Sequence, residues 1–130
     1  AGPMIYESNY LPIDRSDPRR AMTAINAAAR LLKNDVASVG IYPEGTRCRE
    51  GEMLPFHNGV FKIAQKADVP IVVAAIAGTE RISGNVPWRH TDVTLTICEV
   101  IGKEELHVST SELGERIRKD IRLRLRILPL

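Results

Sequence analysis

Apolar residues recur at helical spacing near the beginning and end of the chain and run almost unbroken in between. Ala21, Ala24, Ile25, Ala28, Leu31 and Leu32 share one side of a helical repeat. Asp17-Pro18 stands just ahead of them. An acceptor side chain followed by proline, whose missing N–H matters least at the first helical position, opens helices well. The spacing predicts an amphipathic helix over 18–33, ended by Asn34-Asp35. Val36 to Tyr42 (VASVGIY) is short, apolar and rich in β-branched residues, which predicts a buried strand. Asn58 can cap a second helix through Val60, Phe61, Ala64 and Ala67. Val69 to Ile76 reads as another buried strand, and Gly78 to Trp88 as loop. From Asp92 to Val100, Val93, Leu95 and Ile97 alternate with Thr94, Thr96 and Cys98, the period of a half-buried strand. Ser109 and Glu112 form a capping-box pattern. The helix they open runs to about Leu128, with Leu113, Ile117, Ile121, Leu125 and Leu128 on one face. Met4-Ile5-Tyr6 is a further short strand candidate.

Helix and strand therefore alternate, and two strands are apolar on both faces. That pattern predicts an α/β fold, a mostly parallel or mixed sheet flanked by helices. Right-handed crossovers then gather strand-end loops at one edge of the sheet, where α/β sites usually lie. A chain of 130 residues is expected to form one domain, 1–130, with a hydrophobic core of its own.

Charge and composition narrow the function. A net charge of +2 and 5% aromatic residues give no footprint for nucleic acid, which needs a basic surface and often stacking platforms. The two cysteines, Cys48 and Cys98, have no neighbouring cysteine or histidine at metal-ligand spacing. They read as reduced thiols, and no metal is implied. No apolar run reaches the roughly 18 residues a bilayer-spanning helix requires.

The chemistry concentrates in Tyr42-Pro43-Glu44-Gly45-Thr46-Arg47, at the end of a predicted buried strand. Gly45 permits positive φ and close approach of a ligand to the backbone. Thr46 offers a hydroxyl, and Arg47 a planar fork matched to phosphate or carboxylate. Arg49 and Lys62 can add positive charge. Physical chemistry alone leaves two readings open: an anion cradle, or a solvated turn closed by a Glu44–Arg47 ion pair.

A family resemblance bears on the choice. Tyr42–Arg47, followed by Leu54-Pro55-Phe56 and Gly59-Val60-Phe61-Lys62, resembles the third conserved block of the glycerolipid acyltransferases. Val69-Pro70-Ile71-Val72 resembles the fourth block, and Ile13-Asp14-Arg15 the second. The three blocks occur in order, with a helix between second and third, over about residues 1–100. The resemblance implies a glycerol-3-phosphate acyltransferase-like fold and transfer of a fatty acyl group from acyl-CoA or acyl carrier protein to lysophosphatidate in phospholipid synthesis. It implies no cofactor beyond that acyl donor. It places the protein on the cytoplasmic face of a membrane surface, with a lysophospholipid as acceptor. Carried over, the family's phosphate-binding positions fall on Arg15, Glu44, Gly45, Thr46 and Arg47. His57, Lys62 and Pro70 are secondary candidates, Pro70 more for shaping the start of its strand.

The family's first block, His-x-x-x-x-Asp, supplies the general base and the carboxylate that orients it. No histidine precedes His57 in this chain. His107 and Glu112 imitate the spacing, but they lie after the third block and straddle a predicted helix cap. The sequence thus reads as an N-terminally truncated acyltransferase domain, inactive alone, with no catalytic residue of its own. The alternative is a catalytically inactive lipid- or phosphate-binding module of the same fold. Other departures are Cys48 at a position often occupied by Ser, and Val73 where a second proline is frequent. The last helix carries Arg116, Arg118, Lys119, Arg122, Arg124 and Arg126, read as a solvated basic face on a core-packed helix rather than a membrane-binding one.

Overall fold

A computed structural model describes residues 17–46 and 53–127. The candidates Met4–Tyr6, Ile13–Arg15, Arg47, Cys48, Arg49 and Leu128 lie outside those residues.

Helix α1 spans Pro18–Lys33, the predicted range. Its cap is the one the sequence offers: the Asp17 carboxylate accepts from Arg19 N at 2.9 Å and Arg20 N at 3.4 Å. Two of the orphan amides at the helix start are thereby satisfied. Ile25, Ala28 and Ala29 are buried. Ile25 and Ala28 pack with Ile63, and Leu32 and Val39 close around them.

Asn58–Phe61 forms a 3₁₀ turn that leads directly into helix α2, Lys62–Ala67. The cap assignment shifts here. His57, rather than Asn58, occupies the N-cap, and it makes no side-chain capping hydrogen bond. Asn58 instead faces helix α4 (Thr110–Ile127), where Gly114 leaves room for its amide.

Strand β1, Ile71–Ala77, pairs antiparallel with β2, Thr94–Ile101. Between them lie a 3₁₀ turn at Thr79–Arg81 and the single-turn helix α3, Ile82–Asn85. A third 3₁₀ turn, Lys103–Glu105, leads toward α4. The chain is α/β as expected, and the two described strands form an antiparallel pair covered on one face by α4. The expected strand Val36–Tyr42 is not formed among the described residues: none of them pairs with it in a ladder, and Val36, Ile41 and Tyr42 are exposed. Their β-branched composition favours extended backbone, yet only Val39 is anchored, in the α1–α2 cluster.

The principal core joins Val60, Phe61, Val73, Ile101, Leu106, Leu113 and Ile117. Gln65 fastens α2 to the approach of α4, donating to Leu106 O and Val108 O at 2.8 Å each. At the start of α4 the Ser109 hydroxyl accepts from Glu112 N at 3.1 Å.

The faces of β2 follow from one irregularity. Register slips between Val73, which opposes Glu99, and Ala74, which opposes Ile97. Cys98 is the extra residue of a β-bulge, and it packs on the core. Beyond the bulge Leu95 and Ile97 fall on the outer face and are exposed, beside Val72, Ile76 and Val100.

Candidate functional site

The turn after Tyr42 is built by backbone geometry. Gly45 N donates to Tyr42 O at 2.9 Å. Gly45 adopts φ 66°, a left-handed conformation that costs glycine nothing and most residues about 1 kcal/mol or more. Two clamps then fix the returning chain. Glu44 Oε2 accepts from Leu54 N at 2.7 Å, and Pro43 O accepts from His57 N at 2.9 Å. A third hold comes from far along the sequence: Arg118 Nη2 of α4 donates to Met53 O at 3.2 Å.

The turn borders an open cleft of about 2540 Å³. Residues 35–44 and Thr46 line it on one side and residues 69–80 on the other, with Phe61, Ile117, Ile121 and Leu125 also contributing. Its lining is predominantly apolar, and it is larger than a pocket shaped around one small molecule.

The structure brings Glu44, Thr46 and Pro70 to this cleft. Gly45 forms the turn between Glu44 and Thr46. His57 and Lys62 are exposed and do not line the cleft. Arg15 and Arg47 lie outside the described residues. Glu44 turns out to be a brace as well as a cleft residue, because its carboxylate reaches along the chain to Leu54.

Two basic residues of α4 have roles that the reading of a uniform solvated face did not include. Arg118 holds the loop through Met53, and its Nε is buried with no partner among the described residues. Arg116 pairs with Glu99 and with Glu105, the latter at 3.0 Å. The sequence signal is an offset of three from a core position, Arg116 from buried Leu113 and Arg118 from partly buried Ile121, which turns both toward the edge of the packed face.

Cys98 is half-buried and free. Burial pushes its thiol upward from the ordinary value, offset in part by a backbone hydrogen bond at Ala75 and by the charge of Arg124. Among the described residues no group of three or more His, Cys, Asp or Glu side chains is placed to hold a metal. No described helix is long and apolar enough to cross a membrane.

The fold and the braced turn define an α/β domain that presents a glycine-centred loop on an apolar cleft. Residues 1–77 match the family model described as Acyltransferase. The chain belongs to the acyltransferase family. It is 31% identical over 114 residues to the 1-acyl-sn-glycerol-3-phosphate acyltransferase of Cocos nucifera, covering 88% of this chain and 35% of that protein. It is 38% identical over 116 residues to the chloroplastic 1-acyl-sn-glycerol-3-phosphate acyltransferase of Arabidopsis thaliana, covering 87% and 32%. Among solved structures it resembles the 1-acyl-sn-glycerophosphate acyltransferase PlsC of Thermotoga maritima, at a TM-score of 0.57 and 27% identity, over 79% of this chain and 46% of that one. The chain spans about a third of the length of these two relatives and under half of the solved structure.

Proposed function

We propose that the whole protein transfers a fatty acyl group from acyl-CoA or acyl carrier protein to the free hydroxyl of lysophosphatidate, at the cytoplasmic face of a membrane. The observation that carries this reading is the Pro-Glu-Gly-Thr turn, fixed in shape by Glu44 and Gly45 at the edge of an apolar cleft. A polar turn beside an apolar cleft suits a molecule with a phosphate at one end and a hydrocarbon chain at the other. Relatives named as 1-acyl-sn-glycerol-3-phosphate acyltransferases support the choice of acceptor.

In this reading the Thr46 hydroxyl and the guanidinium groups of Arg15 and Arg47 hold the phosphate, and Gly45 lets the backbone approach it closely. Glu44 keeps the turn in shape. His57, whose N–H is tied to Pro43 O, and Lys62 are secondary contacts for the acceptor, and Pro70 shapes the opposite wall. The acceptor hydroxyl oxygen attacks the thioester carbonyl, a carbon–oxygen bond forms and the carbon–sulfur bond breaks. The hydroxyl proton passes through a His-x-x-x-x-Asp pair, absent from residues 1–130, to the departing thiolate. No metal or further cofactor takes part.

Thiol release on mixing acyl donor and lysophosphatidate tests the proposal. The whole protein should release thiol only when acceptor is present. Arg47→Ala should lose most of that turnover, and the 130-residue chain alone should show none. Binding of lysophosphatidate by the whole protein without thiol release would instead identify an inactive lipid-binding module. Undiminished turnover in Arg47→Ala would remove the acceptor-site assignment.

A further inference from the structure

The 78–93 loop between β1 and β2 is fastened at its base and apolar at its tip. Asn85 Nδ2 donates to Thr91 Oγ1 at 2.7 Å and to His90 O at 3.3 Å. Arg89 N donates to Asn85 O at 2.7 Å. Gly78 leaves β1 at φ 93°, and a Cβ there would stand 2.3 Å from Asp92 O. The two ends of the loop are therefore pressed together, and its crown is held in one shape.

That crown faces water with the wrong side chains for water. Trp88 is 91% exposed, Val86 63% and Ile82 41%. No charged residue occurs from Ile82 to Trp88, and Arg81 and Arg89 bracket the stretch. At the base Glu80 lies 3.7 Å from Arg81, and Asp92 is hydrogen-bonded to His90 Nε2 at 2.8 Å. Arg89 has no ion-pair partner among the described residues. A tryptophan with apolar neighbours and an unmatched arginine beside it suits the boundary between lipid headgroups and acyl chains. The indole ring favours that boundary, and the guanidinium can meet phosphate there. The base of the same loop, through Gly78, Thr79, Glu80 and Ile82, lines the cleft that borders the Glu44 turn.

We propose that the 82–89 crown is a bilayer-contacting element. Trp88 and Val86 enter the acyl boundary, Arg89 rests at phosphate level, and the cleft opens toward the lipid surface that carries the acceptor. This assignment rests on the lysophospholipid reading above.

Trp88 is the protein's one tryptophan within these 130 residues, so in this chain its emission reports on the crown directly. The chain is mixed with phosphatidylcholine–phosphatidylglycerol vesicles, with and without brominated acyl chains. Expected are a blue shift and bromine quenching of Trp88, with Trp88→Ala partitioning about tenfold less, the loss of one buried large apolar side chain. In the whole protein, Trp88→Ala should lower thiol release with vesicle-embedded lysophosphatidate and leave turnover of a monomeric short-chain acceptor unchanged. Unaltered emission, or a blue shift that bromine does not quench, overturns the proposal; the latter would mean burial against protein. The fluorescence arm needs no turnover. It therefore decides the matter even if thiol release fails and the acyltransfer reading falls.

Discussion

Glu44 and Leu54 are joined by a single hydrogen bond, carboxylate Oε2 to backbone N–H at 2.7 Å, across the loop that begins with the Pro-Glu-Gly-Thr turn. Glu44→Ala strands a part-buried N–H, which costs about 1 kcal/mol. Glu44→Gln keeps a side-chain oxygen at the same place. The alanine variant should therefore unfold at lower urea and raise KM for lysophosphatidate, and the glutamine variant should recover most of both. Equal damage from the two would mean that the negative charge itself, rather than the brace, is what the site needs.

Gly114 and Asn58 make a second sharp contact. A Cβ on Gly114 would stand 2.1 Å from Asn58 Oδ1 and 3.3 Å from Phe61 Cε2. Alanine inside a helix normally gains about 1 kcal/mol over glycine. Here overpacking of about 1–3 kcal/mol wins, so Gly114→Ala should lower stability. In an Asn58→Ala background the sign should reverse, because helix propensity is then nearly the sole remaining effect. A double-mutant cycle by chemical denaturation measures this, and a coupling near zero would show that Asn58 simply swings aside.

The outer face of the β1–β2 pair is apolar and open. Val72 is 59% exposed, Leu95 62% and Val100 59%. Such a patch favours self-association. The 130-residue chain should sediment with a concentration-dependent mass, and Leu95→Lys with Val100→Lys should shift it toward monomer. Each change should alter stability by no more than about 0.5 kcal/mol, as exposed positions do. A monodisperse monomer that the lysines leave unchanged would contradict this.

Glu105 supplies a pH dependence. A hydrogen bond from Arg116 and a second from Gly102 N hold its carboxyl below the ordinary value of 4.5. The native state then binds this proton less readily than the unfolded chain does. The carboxylate's contribution is complete above the ordinary value and is lost as pH falls through the lower native one. Urea midpoints of the parent chain should fall more steeply than those of Glu105→Gln in that acidic window. The difference should be small, since the pair is exposed and solvent screens it.

Much of this was legible in the sequence where local rules govern. Asp17-Pro18 and the apolar repeat placed α1 to the residue, because a cap and an amphipathic stripe are written within a few positions. Val36–Tyr42 shows the opposite case. Its composition specifies extended backbone, but whether a strand forms depends on a neighbour that composition does not name. The faces of β2 were hidden for a similar reason. Alternation predicted a half-buried strand, while the bulge at Cys98 decides which half, and a bulge depends on both strands. At the site, the residue types of the turn were readable, along with Gly45's conformation. The brace from Glu44 to Leu54 was not, since it exists only once the loop has closed.

Arg118 reaches from the last helix to Met53, so the loop beside the cleft is tethered to a part of the chain 65 residues away. Fraying at the far end of α4 would slacken that tether before it disturbed the sheet. Under the proposed function, acceptor affinity should thus weaken on warming ahead of global melting, with the last helix as the thermal governor of the loop at Met53.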